Sequence, residues 1–266
     1  MDEAERIAVG FVEAERTRRS RVAGAEVAEV DGLALAFANV PDPSVNFALV
    51  LREPADPRAA LVRAEELFAE RGRSFGINLH VGRHLAVEDA VRAAGLERLF
   101  GRPGMAIAID RLAETSVTDG IEIRPVTDER EGRALARVDG EAFEDPSGVA
   151  EDFYAAAALA VDGGRSFIAW EGGEPVGIAA GYVHDGAVGI FGVGVVARAR
   201  RRGIGAALTL HAARAFPGAD LAWLHPSDMA RSMYERLGFR TVSDWEVWVR
   251  PRIAAVPGAD PAPRRA

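Results

Sequence analysis

The segment RARRRGIGAAL, residues 198–208, has four arginines within five positions, directly before Gly203-Ile204-Gly205. A strand-like apolar run, GIFGVGVV, precedes it, and an apolar run of small residues follows it. We expect a strand, a short glycine turn and a helix to about Phe216, because glycine adopts backbone conformations that other residues avoid.

The arginine-glycine segment has the properties of a diphosphate-binding site. The first N–H groups of a helix have no internal partner, and the helix dipole adds partial positive charge there. Glycine at 203 and 205 removes the Cβ atoms that would hold a large anion away from those amides. Arginine adds forked donors suited to phosphate oxygens. The net charge of the chain is -8, so the cluster is a local feature and not part of a nucleic-acid-binding surface.

The segment fits two other nucleotide-binding motifs poorly. A Walker loop requires G-x-x-x-x-G-K-[ST], and the chain has no such string. GVGVVA, residues 192–197, matches the dinucleotide pattern G-x-G-x-x-A, but it lies within a β-rich run instead of a turn that opens a helix. On these residues alone, a solvated basic patch before an ordinary helix stays open.

Composition limits the class of protein. A chain of 266 residues is long enough for one large domain or two of ordinary size. Its lack of cysteine excludes disulfides, thiolate metal sites and a cysteine nucleophile, and it fits a reducing compartment. The acidic N-terminus is unlike a secretion signal, and no run approaches the roughly 20 apolar residues that span a bilayer. We therefore expect a cytoplasmic protein with no membrane segment.

Local signals predict alternating strands and helices in two segments. The first has a helix over about residues 2–19, a hairpin at Asp31-Gly32, and a helix with Asp56 as N-cap and Pro57 at its first position. The polar stretch 110–120 predicts a domain boundary, with domains at 1–115 and 116–250. The tail 251–266 has four prolines, and we expect it to be disordered.

The two segments end alike. Each has a helix, then Gly95-Leu96 or Gly238-Phe239, then a short loop and an apolar strand. This pattern suggests that one architecture is used twice.

Three motifs together resemble the GCN5-related N-acetyltransferase (GNAT) family. Residues 200–205, RRRGIG, fit its pyrophosphate loop [QR]-x-x-G-x-[GA], and the preceding GVGVV looks like its central strand. Tyr234, Gly238 and Phe239 match its closing Y-x-x-x-G-F signature. The resemblance covers about residues 121–250. It implies an α/β (α+β) fold of two tandem GNAT-like domains, each a mixed, mostly antiparallel twisted sheet flanked by helices. The first lacks the R-x-x-G-x-G loop and is expected to be degenerate.

The resemblance also implies coenzyme A chemistry, with acetyl-CoA as cosubstrate of an N-acetyltransferase. The backbone of Val193, Gly194 and Val195 would pair with the pantetheine arm. The Val195 amide would polarise the thioester carbonyl, and Tyr234 would act as general acid. The diphosphate would be held by the loop, which comprises Arg200, Arg201, Arg202, Gly203, Ile204, Gly205 and Ala206.

Ser227 stands where the family often has asparagine, which would place it at the cofactor. A plain helix N-cap is the interpretation that the residues favour.

The base and the acceptor are not identified by the sequence. Glu141, Glu144, Asp145 and His184 lie in segments that flank the family's acceptor groove, and none is favoured. The acceptor is expected to be a small-molecule or peptide amine. His211 is expected to lie in the core, on the apolar face of its helix. We expect no metal site, because the histidines lack ligand spacing.

Two other classes stay open. One is an acyl-CoA-binding module without turnover. The other is a tandem-fold acyltransferase whose donor is aminoacyl-tRNA, although an acidic chain fits that donor poorly. No nucleic-acid partner is expected, and the protein is expected to be a monomer or homodimer.

Overall fold

The computed structural model describes residues 1–40, 45–117, 119–144, 148 and 150–251. The helices are α1 (Glu3–Arg19), α2 (Pro57–Glu70), α3 (Leu85–Ala93), α4 (Glu129–Ala142), α5 (Glu151–Ala157), α6 (Ile204–Ala213) and α7 (Asp228–Arg236). The strands are β1 (Glu26–Val30), β2 (Leu33–Phe37), β3 (Phe47–Val50), β4 (Gly76–His80), β5 (Glu97–Ala108), β6 (Ile121–Pro125), β7 (Gly164–Glu171), β8 (Glu174–His184), β9 (Ala187–Val195), β10 (Leu221–Leu224) and β11 (Arg240–Val249).

The described strands form one eleven-stranded sheet in the order β1-β2-β3-β4-β11-β5-β10-β9-β8-β7-β6. Two neighbouring pairs are parallel, β3–β4 and β9–β10, and the other pairs are antiparallel. Each parallel pair is joined through a helix, α2 in the first half and α6 in the second. The prediction of a mixed, mostly antiparallel sheet flanked by helices is confirmed.

Local signals placed several elements correctly. Asp31 and Gly32 have φ angles of 50° and 83° and join β1 to β2, as an Asp-Gly hairpin turn requires. Asp56 caps α2 by accepting hydrogen bonds from the amides of Arg58 and Ala59, with Pro57 at the first helical position. Residues 252–266 of the predicted tail lie outside the described part of the chain, so the disorder expected there stays a prediction.

The final strands of the two halves are exchanged. β11, from the end of the chain, pairs with β4 and β5, and β5, from the first half, pairs with β11 and β10. Each half of the sheet is therefore completed by a strand of the other half. No local sequence signal predicts this exchange. The predicted boundary at 115/116 divides the sequence but not the sheet, and the two domains stay a prediction.

Helix α1 packs across the junction of the two halves. Ile7 and Phe11 lie in a buried cluster with Trp223 of β10 and Trp245 of β11. At the surface, Arg6 of α1 forms a 2.7 Å ion pair with Asp220. The first helix of the chain is thereby fixed to the second half.

Candidate active site

The strands β9 and β10 separate after a short paired segment. Residues Leu221–Trp223 pair with Ala187–Gly189, whereas β9 continues to Val195. Beyond Gly189, the β9 edge that faces β10 has no strand partner among the described residues. A parallel pair that opens in this way leaves backbone donors and acceptors exposed at the carboxyl ends of the strands.

The backbone of β9 directs the Val195 amide toward this opening. The N–H of Val196 bonds to the carbonyl of Val176 at 3.1 Å, and successive backbone groups of a strand alternate in direction. The N–H and C=O of Val195 therefore face away from β8. The register of β8 and β9 also shifts between Ile178 and Ala180, where Gly192 has a φ of 57°. Such a bulge bends the strand locally.

A groove of about 1260 Å³ lies at this opening, and we call it the long groove. Its wall brings together most of the predicted cofactor and catalytic residues: Val193, Gly194, Val195, Arg200, Arg201, Gly203, Ile204, Gly205, Ala206, Ser227 and Tyr234. Arg202 lies outside this wall. Segments that are about forty residues apart in the sequence, from Val193 to Tyr234, thus meet at one surface.

The N-terminus of α6 opens onto the long groove without a side-chain cap. Its N-cap residue is Gly203, whereas α1, α2 and α4 begin with Asp2, Asp56 and Asp128, whose carboxylates accept first-turn amide hydrogen bonds. The first-turn amides of α6 are therefore available to a ligand, and the helix dipole favours an anion there.

The loop before α6 has two residues in the left-handed region. Arg201 has a φ of 67° and Gly203 a φ of 80°. A left-handed backbone is unfavourable for arginine. Alternation of right- and left-handed residues turns successive N–H groups toward one side and forms an anion-binding concavity. The strain at Arg201 therefore fits a loop shaped to hold an anion.

The arginines of the loop have different partners. Arg200 donates from Nε to the Val195 carbonyl and from Nη2 to the Ala142 carbonyl, both at 3.0 Å, and thereby ties the end of β9 to α4. Arg202 forms a bidentate pair with Glu171, with hydrogen bonds of 2.6 and 3.0 Å.

Arg201 has no hydrogen bond or ion pair with another described residue, and it is exposed at the groove wall. Among the arginines of residues 200–202, Arg201 is therefore the one whose guanidinium is available to a ligand.

Tyr234 is 5% exposed and lies in the wall of the long groove. Burial raises the pKa of its hydroxyl to about 12, and a hydrogen bond with Thr209 partly opposes that rise. Its ring packs edge-on against Phe239, with centroids 5.8 Å apart. The hydroxyl is therefore protonated throughout the neutral range.

Ser227 is the N-cap residue of α7, as the local sequence predicts, but its side chain makes no capping hydrogen bond. It lines the long groove instead. Its hydroxyl can therefore serve a ligand, which keeps open the role that the family resemblance implies.

A second cavity, of about 570 Å³, lies beside the bulge of β9, and we call it the side pocket. Phe143 lines both cavities, and the chain crosses from one to the other between Gly192 and Val193. Arg18 of α1, Asp139 of α4 and the rings of Tyr154, Tyr182 and Phe191 also line the side pocket. Sequence reasoning missed these residues, and Arg18 lies more than a hundred residues from the motifs that identified the groove.

The candidate bases are placed differently. Glu144 lines the long groove, and Glu141 is exposed and paired with Arg198 at 3.3 Å. His184 is exposed at the end of β8 and lines neither cavity. Asp145 lies outside the described residues.

The prediction that His211 lies in the core is wrong. Its position on α6 is exposed, although most of that helix is buried. Its ring Nδ1 lies 3.2 Å from the Ala207 carbonyl.

In the first half, the equivalent helix ends are already occupied. Asp56 takes two first-turn amides of α2, and Pro57 has no N–H to offer. Glu53 accepts a 3.1 Å hydrogen bond from the amide of Ala86 in the first turn of α3. Carboxylates at these positions repel a diphosphate, which agrees with the missing glycine loop.

Within the described residues, no group of three or more histidine, aspartate or glutamate side chains is arranged to hold a metal ion. None of the described helices has the length and apolar character that a membrane crossing needs.

Residues 132–239 match the family model described as the acetyltransferase (GNAT) family. No curated protein matches the chain. Among solved structures, a GCN5-related N-acetyltransferase from Kribbella flavida has a TM-score of 0.74 at 23% identity, over 94% of this chain and 96% of that one. A tandem GNAT protein from the clavulanic acid biosynthesis pathway has a TM-score of 0.59 at 17% identity, over 88% and 86%. A functionally unknown protein from Staphylococcus epidermidis has a TM-score of 0.63 at 16% identity, over 90% and 99%.

Proposed function

We propose that this chain, whose residues 132–239 match the GNAT acetyltransferase family model, transfers an acetyl group from acetyl-CoA to a primary amine. One observation carries the proposal: the uncapped N-terminus of α6 opens on the long groove beside the unpartnered edge of β9. An anionic diphosphate fits the N-terminus of α6, and an extended amide-containing arm fits the edge of β9.

In this proposal, the loop of residues 200–206 binds the diphosphate. The amides at the start of α6 donate to it, and Arg201 adds a charged donor from the wall. Arg200 acts indirectly, because its guanidinium holds β9 to α4 through two carbonyls. Arg202 stabilises the fold through Glu171.

The bound thioester supplies the activated acetyl group. The amine nitrogen forms a bond to the acetyl carbon, the carbon–sulfur bond breaks, and one proton must leave the amine while one must reach the sulfur. The Val195 N–H, which faces away from β8, donates to the thioester oxygen as negative charge develops on it. The amine approaches from the side pocket, past Phe143.

Tyr234 stabilises the departing sulfur. A cysteine-like thiol has a pKa of about 8.5, well below the value of about 12 for this phenol. Full proton transfer from the unliganded site would therefore be uphill by roughly 5 kcal/mol. The role of Tyr234 as general acid thus begins as hydrogen-bond donation, and transfer follows as charge builds on the sulfur.

The first half, residues 1–115, is proposed to be a degenerate GNAT-like domain that binds no coenzyme. The capped ends of α2 and α3 support this, as does the repeated strand–helix–strand unit around a parallel pair. The second domain, residues 116–250, holds the proposed active site.

Two measurements test the proposal. Calorimetry with coenzyme A should show one binding site per chain. The N-termini of α2 and α6 are equivalent in the two halves, and that of α6 is the open one. Thiol release from acetyl-CoA should rise above the hydrolysis blank with at least one member of a primary-amine panel. Absence of binding to both coenzyme A and acetyl-CoA would exclude the function, and two sites per chain would exclude the degenerate first domain.

A further inference from the structure

The side pocket is built for an apolar body. The rings of Tyr182 and Phe191 meet edge-on, with centroids 5.6 Å apart, and Tyr154 and Phe143 complete the aromatic wall. The hydroxyl of Tyr182 bonds to the Ala157 carbonyl at 3.4 Å, so its ring, and not its polar end, is the part that shapes the wall. Aromatic walls of this kind favour an aromatic or branched apolar ligand over a strongly hydrated one.

One guanidinium enters this wall from the first half. Arg18, whose side chain is 14% exposed, lies with its Cζ 5.7 Å from the ring centre of Tyr154 and 6.0 Å from that of Phe191. Its Nη1 donates to Glu15 at 3.1 Å, and its Nε is buried with no hydrogen-bond partner among the described residues. Donors of a buried arginine are costly to leave unused.

The local charge beside Arg18 is positive. Glu15 also contacts Arg19, whose side chain is 1% exposed, so two guanidinium groups share one carboxylate. Arg19 is engaged elsewhere too, since it donates to the Phe37 carbonyl at 3.2 Å. Glu15, Arg18 and Arg19 together carry one net positive charge, and of the two guanidinium groups that of Arg18 is the one that lines the side pocket.

A carboxylate from a different helix, α4, also lines the side pocket. Asp139 of α4 lines it, and its Oδ1 lies 3.9 Å from the place where a Cβ on Gly192 would lie. That position adjoins the bulge between the two cavities. An ammonium group held near Asp139 would thus lie beside the proposed transfer point, while Arg18 holds a different part of the acceptor.

We propose that the acceptor is an aromatic or apolar amino carboxylate, with its carboxylate bound by Arg18 and its amine directed toward Asp139. This inference rests on the proposed acetyltransferase function. It makes Arg18 a specificity-determining residue that the degenerate first half supplies. It also disfavours polyamines and aminoglycosides, because a second ammonium group would meet the charge of Arg18.

Matched acceptors test the inference. We expect kcat/KM for phenylalanine to exceed that for 2-phenylethylamine, which lacks the carboxylate, by about 30-fold, as for a hydrogen-bonded charge pair. Arg18→Gln should reduce this ratio to about 1, and Arg18→Lys should leave an intermediate ratio. Arg16→Gln is the control, because Arg16 lies on the same helix, pairs with Glu13 and Glu29, and is absent from the pocket wall. It should keep the wild-type ratio.

The outcomes separate the two proposals. If the wild type acetylates spermidine faster than phenylalanine, or if Arg18→Gln and Arg18→Lys both keep the wild-type ratio, the inference is wrong while the acetyltransferase stands. If no amine raises thiol release and coenzyme A does not bind, the proposed function fails, and this inference fails with it. Coenzyme A binding by the Arg18 variants shows that they are folded, since Arg18 does not line the long groove.

Discussion

Gly203 and Gly205 lie two residues apart at the start of α6, yet the same change to alanine should affect them in opposite ways. Gly203 is the N-cap with a φ of 80°, and a Cβ built on it would lie 2.5 Å from the carbonyl oxygen of Ser116. Gly205 has no such backbone constraint. A Cβ there would lie 3.3 Å from the Sδ of Met233 and 3.8 Å from the Cγ2 of Val195, both groove residues.

The stability effects follow from these contacts. Gly203→Ala should lower the free energy of unfolding by about 2–4 kcal/mol, since a left-handed alanine costs roughly 1–2 kcal/mol and the backbone at Ser116 must move as well. Gly205→Ala replaces glycine by the best helix former within the first turn of α6. It should leave stability unchanged or raise it by up to about 1 kcal/mol, because the flexible end of Met233 can move aside.

The effect of Gly205→Ala on ligand binding has the opposite direction. Its methyl group would project into the long groove, between the first-turn amides and the proposed diphosphate. Loss of one or two hydrogen bonds to a charged group costs about 1.5–3 kcal/mol each, so the Kd for coenzyme A should rise at least tenfold.

Urea denaturation and calorimetry on the two variants give both quantities. A Gly205→Ala protein that is as stable as wild type and binds coenzyme A as tightly would refute the placement of the diphosphate at α6. Full stability of Gly203→Ala would refute the conformational argument for the N-cap.

Four further predictions concern other parts of the protein. Tyr234→Phe should lower kcat more than tenfold with the Kd for coenzyme A within about twofold of wild type; steady-state kinetics with unchanged kcat would exclude its role at the sulfur. Arg201→Ala should raise that Kd about five- to twentyfold and weaken its salt dependence, whereas Arg202→Ala should change it less than twofold; calorimetry in which the two variants behave alike would contradict the assignment. Burial and a neighbouring arginine hold the pKa of His225 well below 6.5, so the unfolded chain binds a proton that the folded protein does not. The free energy of unfolding should therefore fall as the pH drops below about 6.5, by at most ~1.4 kcal/mol per pH unit for this group, and His225→Asn should reduce the slope measured by urea denaturation between pH 7 and 5. A fragment of residues 116–250 should not unfold cooperatively by circular dichroism, because it lacks β5; a stable fragment with full activity would show that the first half is dispensable.

The elements of this fold were predictable where a local signal determines them. Asp56-Pro57 begins a helix because the carboxylate caps amides two and three residues ahead. Asp31-Gly32 closes a hairpin because both residues accept a positive φ. Helix ends without such a signal were predicted less accurately: α6 ends at Ala213, whereas the helix was expected to reach about Phe216.

The exchange of β5 and β11 had no local signal. Both strands follow a helix and a glycine, at Gly95 and Gly238. β5 and β11 could each make the backbone hydrogen bonds of the other's position. The sequence of a strand therefore does not determine which neighbouring strands it pairs with. Pairing over more than 130 residues of sequence depends on how the two halves pack as a whole.

The same distinction applies to the site. The long groove was predictable because a strand, a loop and two helices in close sequence supply its wall. The side pocket was not, since Arg18 reaches it from α1 only after that helix has packed across β8 and β9. A short motif can be recognised when its own residues form the binding site. When specificity depends on a residue from a distant helix, no short sequence pattern identifies that residue.

If the first half binds no coenzyme, as proposed, its packing explains why it persists. Its glycine loop is absent, and Asp56 fills the helix end where a diphosphate would bind. Its strand β5, however, lies between β10 and β11, and its helix α1 supplies Arg18 to the side pocket. Loss of the loop costs only a redundant binding site, whereas loss of β5 would leave the facing edges of β10 and β11 unpaired. The first half should therefore tolerate substitutions at the N-termini of α2 and α3 far better than in β5 or on the face of α1 that meets the second half.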